Sequence, residues 1–296
     1  MSVPDARSSA SASFTRTGVV DIKRRAVPSD LLTVASIAVI VYAVANVLHE
    51  GLGHGGACVL AGGAPRLLTS VSFECDMTGV GPSGSKLVAA GGTIVNVLAG
   101  SIGALLYRRA EARSPAARFG LWLFAAVNLM QAAGYFLFSG VGRIGDWAEV
   151  MADVTPAWAW RVALAVVGFV LYWMVTVRAF GALARFIGGE PRDRYPIGNR
   201  LSLTSYAAGA LLYCLSGMLN PGGLVLLAVS AAAASLGGTS GLAWGPQLLR
   251  GERGEREQVQ GEASPVRIAR DMRLVAAALV VFLVFVGLLG PGVRLG

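Results

Sequence analysis

The sequence predicts an all-α membrane protein, a polytopic bundle of about seven transmembrane helices with a cytoplasmic amino terminus and an outer carboxyl terminus. Three observations predict it. Of 296 residues, 54% are hydrophobic and 14% charged, against about 25% charged in soluble domains, and the mean hydropathy is +0.61. Seven stretches, at 30–61, 86–107, 117–138, 157–180, 201–219, 222–248 and 274–290, approach the roughly 20 apolar residues a crossing needs. The cations between them alternate in density. The segments 1–28, 107–118, 178–200 and 250–273 carry 5, 4, 5 and 6 of the 25 lysines and arginines, and only Arg66, Lys86, Arg143, Arg161 and Arg294 lie on the other side. Cytoplasmic loops are the cation-rich ones, and an odd number of crossings puts the ends on opposite sides. The net charge of +8 is therefore spread between apolar segments and does not mark a nucleic-acid surface.

Taken in order, residues 1–28 are rich in Ser, Ala and Arg without apolar periodicity and read as a disordered cytoplasmic tail. A signal peptide is the rival reading; the apolar run that follows continues without a polar mature region, which favours a retained helix. Residues 29–180 form a core of about four helices, and 181–296 add further helices with a charged loop at 250–273, whose Arg-Gly-Glu repeats read as solvated. Helix six, at 222–248, is rich in Ala and Gly and suits close packing. Trp158 and Trp160, at the outer start of helix four, read as interfacial anchors. Asn220-Pro-Gly-Gly is a candidate break of the kind transporters use. Cys58 and Cys75 both fall outside, where a disulfide is open to them, and Cys214 reads as a small buried apolar group.

The only two histidines, His49 and His54, lie with Glu50 in the first apolar segment, as His-Glu-Gly-Leu-Gly-His. Ionisable groups inside a membrane are costly and point to function. His49 is about 18 residues into the helix, roughly 27 Å along it, hence in the outer half of the bilayer. The zinc motif H-E-x-x-H puts two imidazoles one turn apart. Here one residue is added, which on a straight α-helix separates the rings by about 140°. A π-bulge absorbs one residue, and Gly51 and Gly53 tolerate a distorted backbone.

The motif resembles the His-Glu-x-x-Gly-His of the dipeptidyl-peptidase III family, which implies that this spacing can bind zinc. In context the chain is more similar to the site-two protease family of intramembrane zinc metalloproteases. The features that carry this likeness are the His-Glu-to-Gly-His segment in the first membrane helix, Ala89-Ala-Gly-Gly-Thr-Ile-Val-Asn96 in the next, with Gly92 where proline is usual, and Asp146 after the third helix. The likeness covers roughly residues 30–150. It implies Zn2+ held by His49, His54 and Asp146, with one position left for water, Glu50 as general base, and Asn96 holding substrate backbone or oxyanion. The implied partner is a membrane-embedded protein substrate within the lipid bilayer, unwound locally by Gly or Pro. Separately, the charge bias and the high ratio of arginine to lysine read as a bacterial inner membrane.

Other readings stay open. Asp146 can be a helix N-cap, with Glu149 and Asp153, then Glu74 and Asp76, as substitute ligands. Asn96 also belongs to a small-residue ladder with Gly92, Gly100 and Ala104. Asn128 and Gln131 suit interhelical hydrogen bonds better than ligand support. A noncatalytic metal-binding transporter or scaffold, or a zinc hydrolase acting on lipid or small peptides, are the alternative functions.

Overall fold

In the computed structural model, residues 29–110, 113–223, 227–250 and 265–296 are described. The expected tail at 1–28 and most of the charged loop, 251–264, lie outside them. Five helices are long and apolar enough to cross a membrane: α1 (Leu31–Leu60), α2 (Pro82–Arg109), α3 (Pro115–Gly142), α5 (Ala157–Ile187) and α9 (Met272–Leu289). Their starts follow local chemistry. Asp30 Oδ1 accepts from Thr33 N at 2.9 Å, Ser114 Oγ from Ala117 N at 3.3 Å ahead of Pro115, and Asp271 Oδ1 from Arg273 N at 2.9 Å. Each satisfies a backbone donor that the first helical turn leaves without a partner.

The other two expected crossings take different forms. α6 (Pro191–Gly217) is a continuous helix of 27 residues, but it mixes arginines, serines and tyrosines into its length, and its hydropathy suffers. The glycine-rich segment that follows is wound with π-type hydrogen bonds over α7 (Leu227–Gly237). It turns at 238–240 and resumes as α8 (Gly241–Trp244), which tightens into a 3₁₀ turn at Gly245–Leu249. Two further elements were not anticipated. A short helix, α4 (Asp146–Val150), follows α3, and a small antiparallel sheet departs from the all-α expectation. It has the order β2-β1-β3, with β1 (Ala64–Leu68), β2 (Phe73–Asp76) and β3 (Val293–Arg294). The disulfide Cys58–Cys75 ties the end of α1 to β2.

α3 is the centre of the bundle, packed on α1, α2 and α5. Its Phe119, Trp122, Leu123 and Met130 are buried against Tyr42 of α1, Phe180 of α5 and Tyr213 of α6. The carboxyl-terminal helices are joined to this core by buried polar bonds: Tyr42 OH donates to Thr239 Oγ1 at 2.7 Å and Tyr213 OH to the carbonyl of Tyr42 at 3.0 Å. α5 runs unbroken through residue 180 to Ile187. At one end of the molecule Asp30 and Arg270 pair at 2.9 Å beside the starts of α1 and α9. At the other, β3 pairs with β1 through Leu67↔Arg294 and Leu68↔Val293. Trp158 is exposed, as an interfacial anchor would be, but Trp160 is buried against the protein. Cys214 is half-buried.

Candidate metal centre

The histidine motif is where α1 changes its winding. From Leu48 to Gly55 the backbone is a π-helix of 8 residues, closed by Gly56 N–H donating to Gly51 O. Hydrogen bonds from i to i+5 set residues five apart one turn above each other. This is how His49 and His54 come to one face, with 3.2 Å between their Nε2 atoms. The expected bulge of one residue is thus spread over two turns.

Three glycines let α2 approach this segment closely. A side chain at Gly53 would meet Gly92 Cα at 2.6 Å and Gly91 O at 2.8 Å. A Cβ at Gly92 would lie 2.5 Å from His49 Nε2 and 2.6 Å from His54 Nε2. Gly92 is therefore the floor of the space that both imidazoles face, and only a missing side chain leaves that space open.

Asp146 enters from the opposite side. α3 ends at Arg143, in the left-handed region with φ 58°, and Gly145 follows at φ 83°. Ser139 Oγ donates to Ile144 O at 3.0 Å, and Trp147 stacks on Phe136 with ring centroids 4.5 Å apart. This fixed turn makes Asp146 the first residue of α4 and turns its carboxylate inward, so the N-cap position falls to Gly145. Asp146 Oδ2 lies 3.6 Å from His49 Nε2 and Oδ1 lies 3.7 Å from His54 Nε2. Burial raises the Asp146 carboxyl above its ordinary range, opposed by the neighbouring His54 and by Thr93, whose Oγ1 donates to Oδ2 at 3.2 Å.

The two Nε2 atoms lie 3.2 Å apart, and the carboxylate faces them with one oxygen towards each ring, at 3.6 and 3.7 Å; one ligand atom from each residue lies within 4.8 Å of the others. Two ligands each 2.0–2.1 Å from a tetrahedral ion are about 3.3 Å apart. His49, His54 and Asp146 can therefore hold one metal ion, and they are the one such group among the described residues. The rings are also oriented from behind. His54 Nδ1–H donates to Val88 O at 2.7 Å, which turns the lone pair of Nε2 towards His49 and Asp146. On His49, Nδ1 faces the Asn96 amide at 3.0 Å and the ring stacks on Tyr135, centroids 4.8 Å apart. Asn96 is fully buried, and its Oδ1 has no partner as oriented. Amide oxygen and nitrogen are assigned from the hydrogen-bond network. With the amide turned, Oδ1 accepts from Nδ1–H, which leaves His49 Nε2 free for a metal.

Glu50 is buried in the wall of the same cavity, of about 460 Å³, together with Tyr135 and the three ligand candidates. The cavity reaches Phe73 and Met77 on the hairpin side and Ser230 and Ala233 of α7. The substitute ligands lie elsewhere. Asp153 pairs with Lys86 at 2.7 Å and Asp76 with Arg66 at 2.5 Å, the latter pair holding the Asp76 carboxyl below its usual range. Glu74 is exposed on β2, and Glu149 borders the cavity outside this group of three. Gln131 reaches Tyr213 across helices at 3.4 Å, and Asn128 donates to Phe124 O at 2.8 Å on its own helix.

Sequence reasoning missed Thr93, Tyr135, the Val88 carbonyl and the contribution of α7 to the cavity. Thr93 sits one turn before Asn96 and beside Gly92, a polar group in an apolar helix, and that was the one available signal. Comparison of the chain with protein-family profiles, curated proteins and solved structures finds no match.

Proposed function

We propose that the chain is an intramembrane zinc metalloprotease of the site-two protease kind, cleaving membrane-embedded protein substrates in the outer half of a bacterial inner membrane. The observation that carries the reading is the convergence of His49, His54 and the Asp146 carboxylate, close enough to hold one ion, facing a cavity that also holds Glu50. Two imidazoles and a carboxylate with a fourth position open are the donor set of a catalytic zinc site, where structural sites are closed by four protein ligands. Bound zinc supplies Lewis acidity and lowers the pKa of water to about 7.

The chain's own residues do the rest. Val88 O and Asn96 hold the imidazoles in the tautomer that presents Nε2, and Thr93 steadies Asp146. Asn96 thus serves here to orient His49, in place of the oxyanion role its position suggested. Glu50 takes the proton from the attacking water and returns it to the leaving amine. A helical substrate hides its amides, so the scissile segment must unwind to enter the cavity, and Gly or Pro near the bond favours that. Pairing of β3 with β1 puts the carboxyl end of the chain beside the α1–α2 connection. This agrees with an odd number of crossings and with the charge bias that places the motif outside.

The test is metal content and turnover of the purified, detergent-solubilised chain. About one zinc per chain in the wild type, lost in His54→Ala and Asp146→Ala, is expected. Glu50→Gln should keep the metal and lose at least about 100-fold in hydrolysis of a transmembrane-helix peptide. A zinc-loaded chain that cleaves a lipid amide and no membrane peptide would overturn the proteolytic reading.

A further inference from the structure

A second cavity lies far from the metal centre. Gly92 and Arg108 are 16 positions apart on α2, or about 24 Å along the helix. Here α2 and α5 lean on the same side of α3 and leave a groove of about 670 Å³ between them. Its floor is Trp122, Ala125 and Leu129 of α3, and its sides include Leu105 and Val175. The polar tips of the aromatic groups in it are already used. Trp122 Nε1 donates to Ala179 O at 2.7 Å and Tyr107 OH to Ala182 O at 2.9 Å. Apart from Ser101, what the groove presents between its ends is mostly apolar.

Its mouth is cationic. Arg108 of α2 and Arg178 and Arg185 of α5 line it, all three exposed, and no carboxylate is among the described lining residues. Arg178 and Arg185 are two helical turns apart on one face of α5. Both flanking helices are of membrane-crossing length, so the apolar part of the groove opens to acyl chains and its mouth to headgroups.

From this we infer that the groove between α2 and α5 binds one anionic phospholipid. The phosphodiester sits between Arg108 and Arg178, and an acyl chain lies over Trp122, Ala125 and Leu129. The guanidinium fork matches phosphate oxygens in pairs. A zwitterionic lipid brings its own ammonium group to the same arginines and is disfavoured. Basic pockets between membrane helices on the cytoplasmic side suit acidic headgroups, and the charge bias puts these arginines on that side. The site is independent of the metal.

Native mass spectrometry of the detergent-solubilised full chain, given equal amounts of dioleoyl phosphatidylglycerol and dioleoyl phosphatidylcholine, tests it. The wild type should retain phosphatidylglycerol in preference. Arg108→Gln with Arg178→Gln should lower that retention about 30-fold, as expected for two arginines at a headgroup. Ala104→Phe, which fills the groove and keeps every charge, should also reduce it, and this variant decides the matter if the double variant fails to fold. Equal retention of the two lipids, or full retention in Ala104→Phe, would overturn the inference. So would displacement of the lipid by millimolar inorganic phosphate, which would identify a free-phosphate site.

Discussion

Replacing Gly92 by alanine tests the metal centre without touching a ligand. The added Cβ would stand 2.5 Å from His49 Nε2 and 2.6 Å from His54 Nε2, in the space where the ion would lie at about 2.0–2.1 Å from each nitrogen. An ordinary contact for that carbon is about 3.5 Å, so the rings or helices must give way by roughly 1 Å. Ligand distances in a zinc site hold to within about 0.2 Å, and the shift therefore exceeds the tolerance several-fold. Loss of an outer partner of a ligand costs about 10–100-fold in metal affinity. Occupation of the site itself should cost at least about 100-fold, leaving purified Gly92→Ala without metal. Gly51→Ala is the matched control, because its Cβ would meet nothing nearer than Leu68 Cδ2 at 3.9 Å. It lies between the two histidines and should keep its zinc. Metal content by elemental analysis, with helicity measured on the same samples, reads both. A folded Gly92→Ala chain with a full complement of zinc would refute the placement of the ion.

The role given to Asn96 predicts a split between two substitutions. Asn96→Ala, which leaves His49 Nδ1 without a partner, should weaken metal binding about 10–100-fold, whereas Asn96→Asp supplies an acceptor and should retain it in a metal-competition titration. Asp146→Ala should abolish metal binding while Glu149→Ala leaves it intact, since Glu149 borders the cavity but stands outside the ligand group; the reverse pattern would move the third ligand. Cys58→Ser with Cys75→Ser opens a cross-link between residues 17 apart, worth about 3 kcal/mol on a chain-entropy view. A lower thermal midpoint is the expected readout, and an unchanged one would show that the hairpin is held by its other contacts.

Much of this protein follows from residue type and spacing. Two histidines and a glutamate inside an apolar run are costly enough in a membrane to need a use, so the site could be located along the chain before any fold was known. The crossings α1, α2, α3, α5 and α9 could be found from hydropathy because each is nearly uniform over about 20 residues. α6 and the segment around α7 were harder, because serine, glycine and alanine score alike in a loop, a turn and a tightly packed helix. The small sheet was illegible for a related reason: Ala64–Leu68 and Phe73–Asp76 are too short for a period-two pattern, and β3 joins from the far end of the chain. At the centre itself, the one-residue excess between His49 and His54 left the ring geometry undecided until the backbone chose π winding. What only the tertiary structure decided is convergence. Whether Asp146 or Glu149 meets the histidines depends on how the turn at Arg143 and Gly145 aims α4. That Gly92 must lack a side chain, and that Asn96 stands behind His49, depends on how closely α2 approaches α1. Those are distances between helices, and no spacing along one helix contains them.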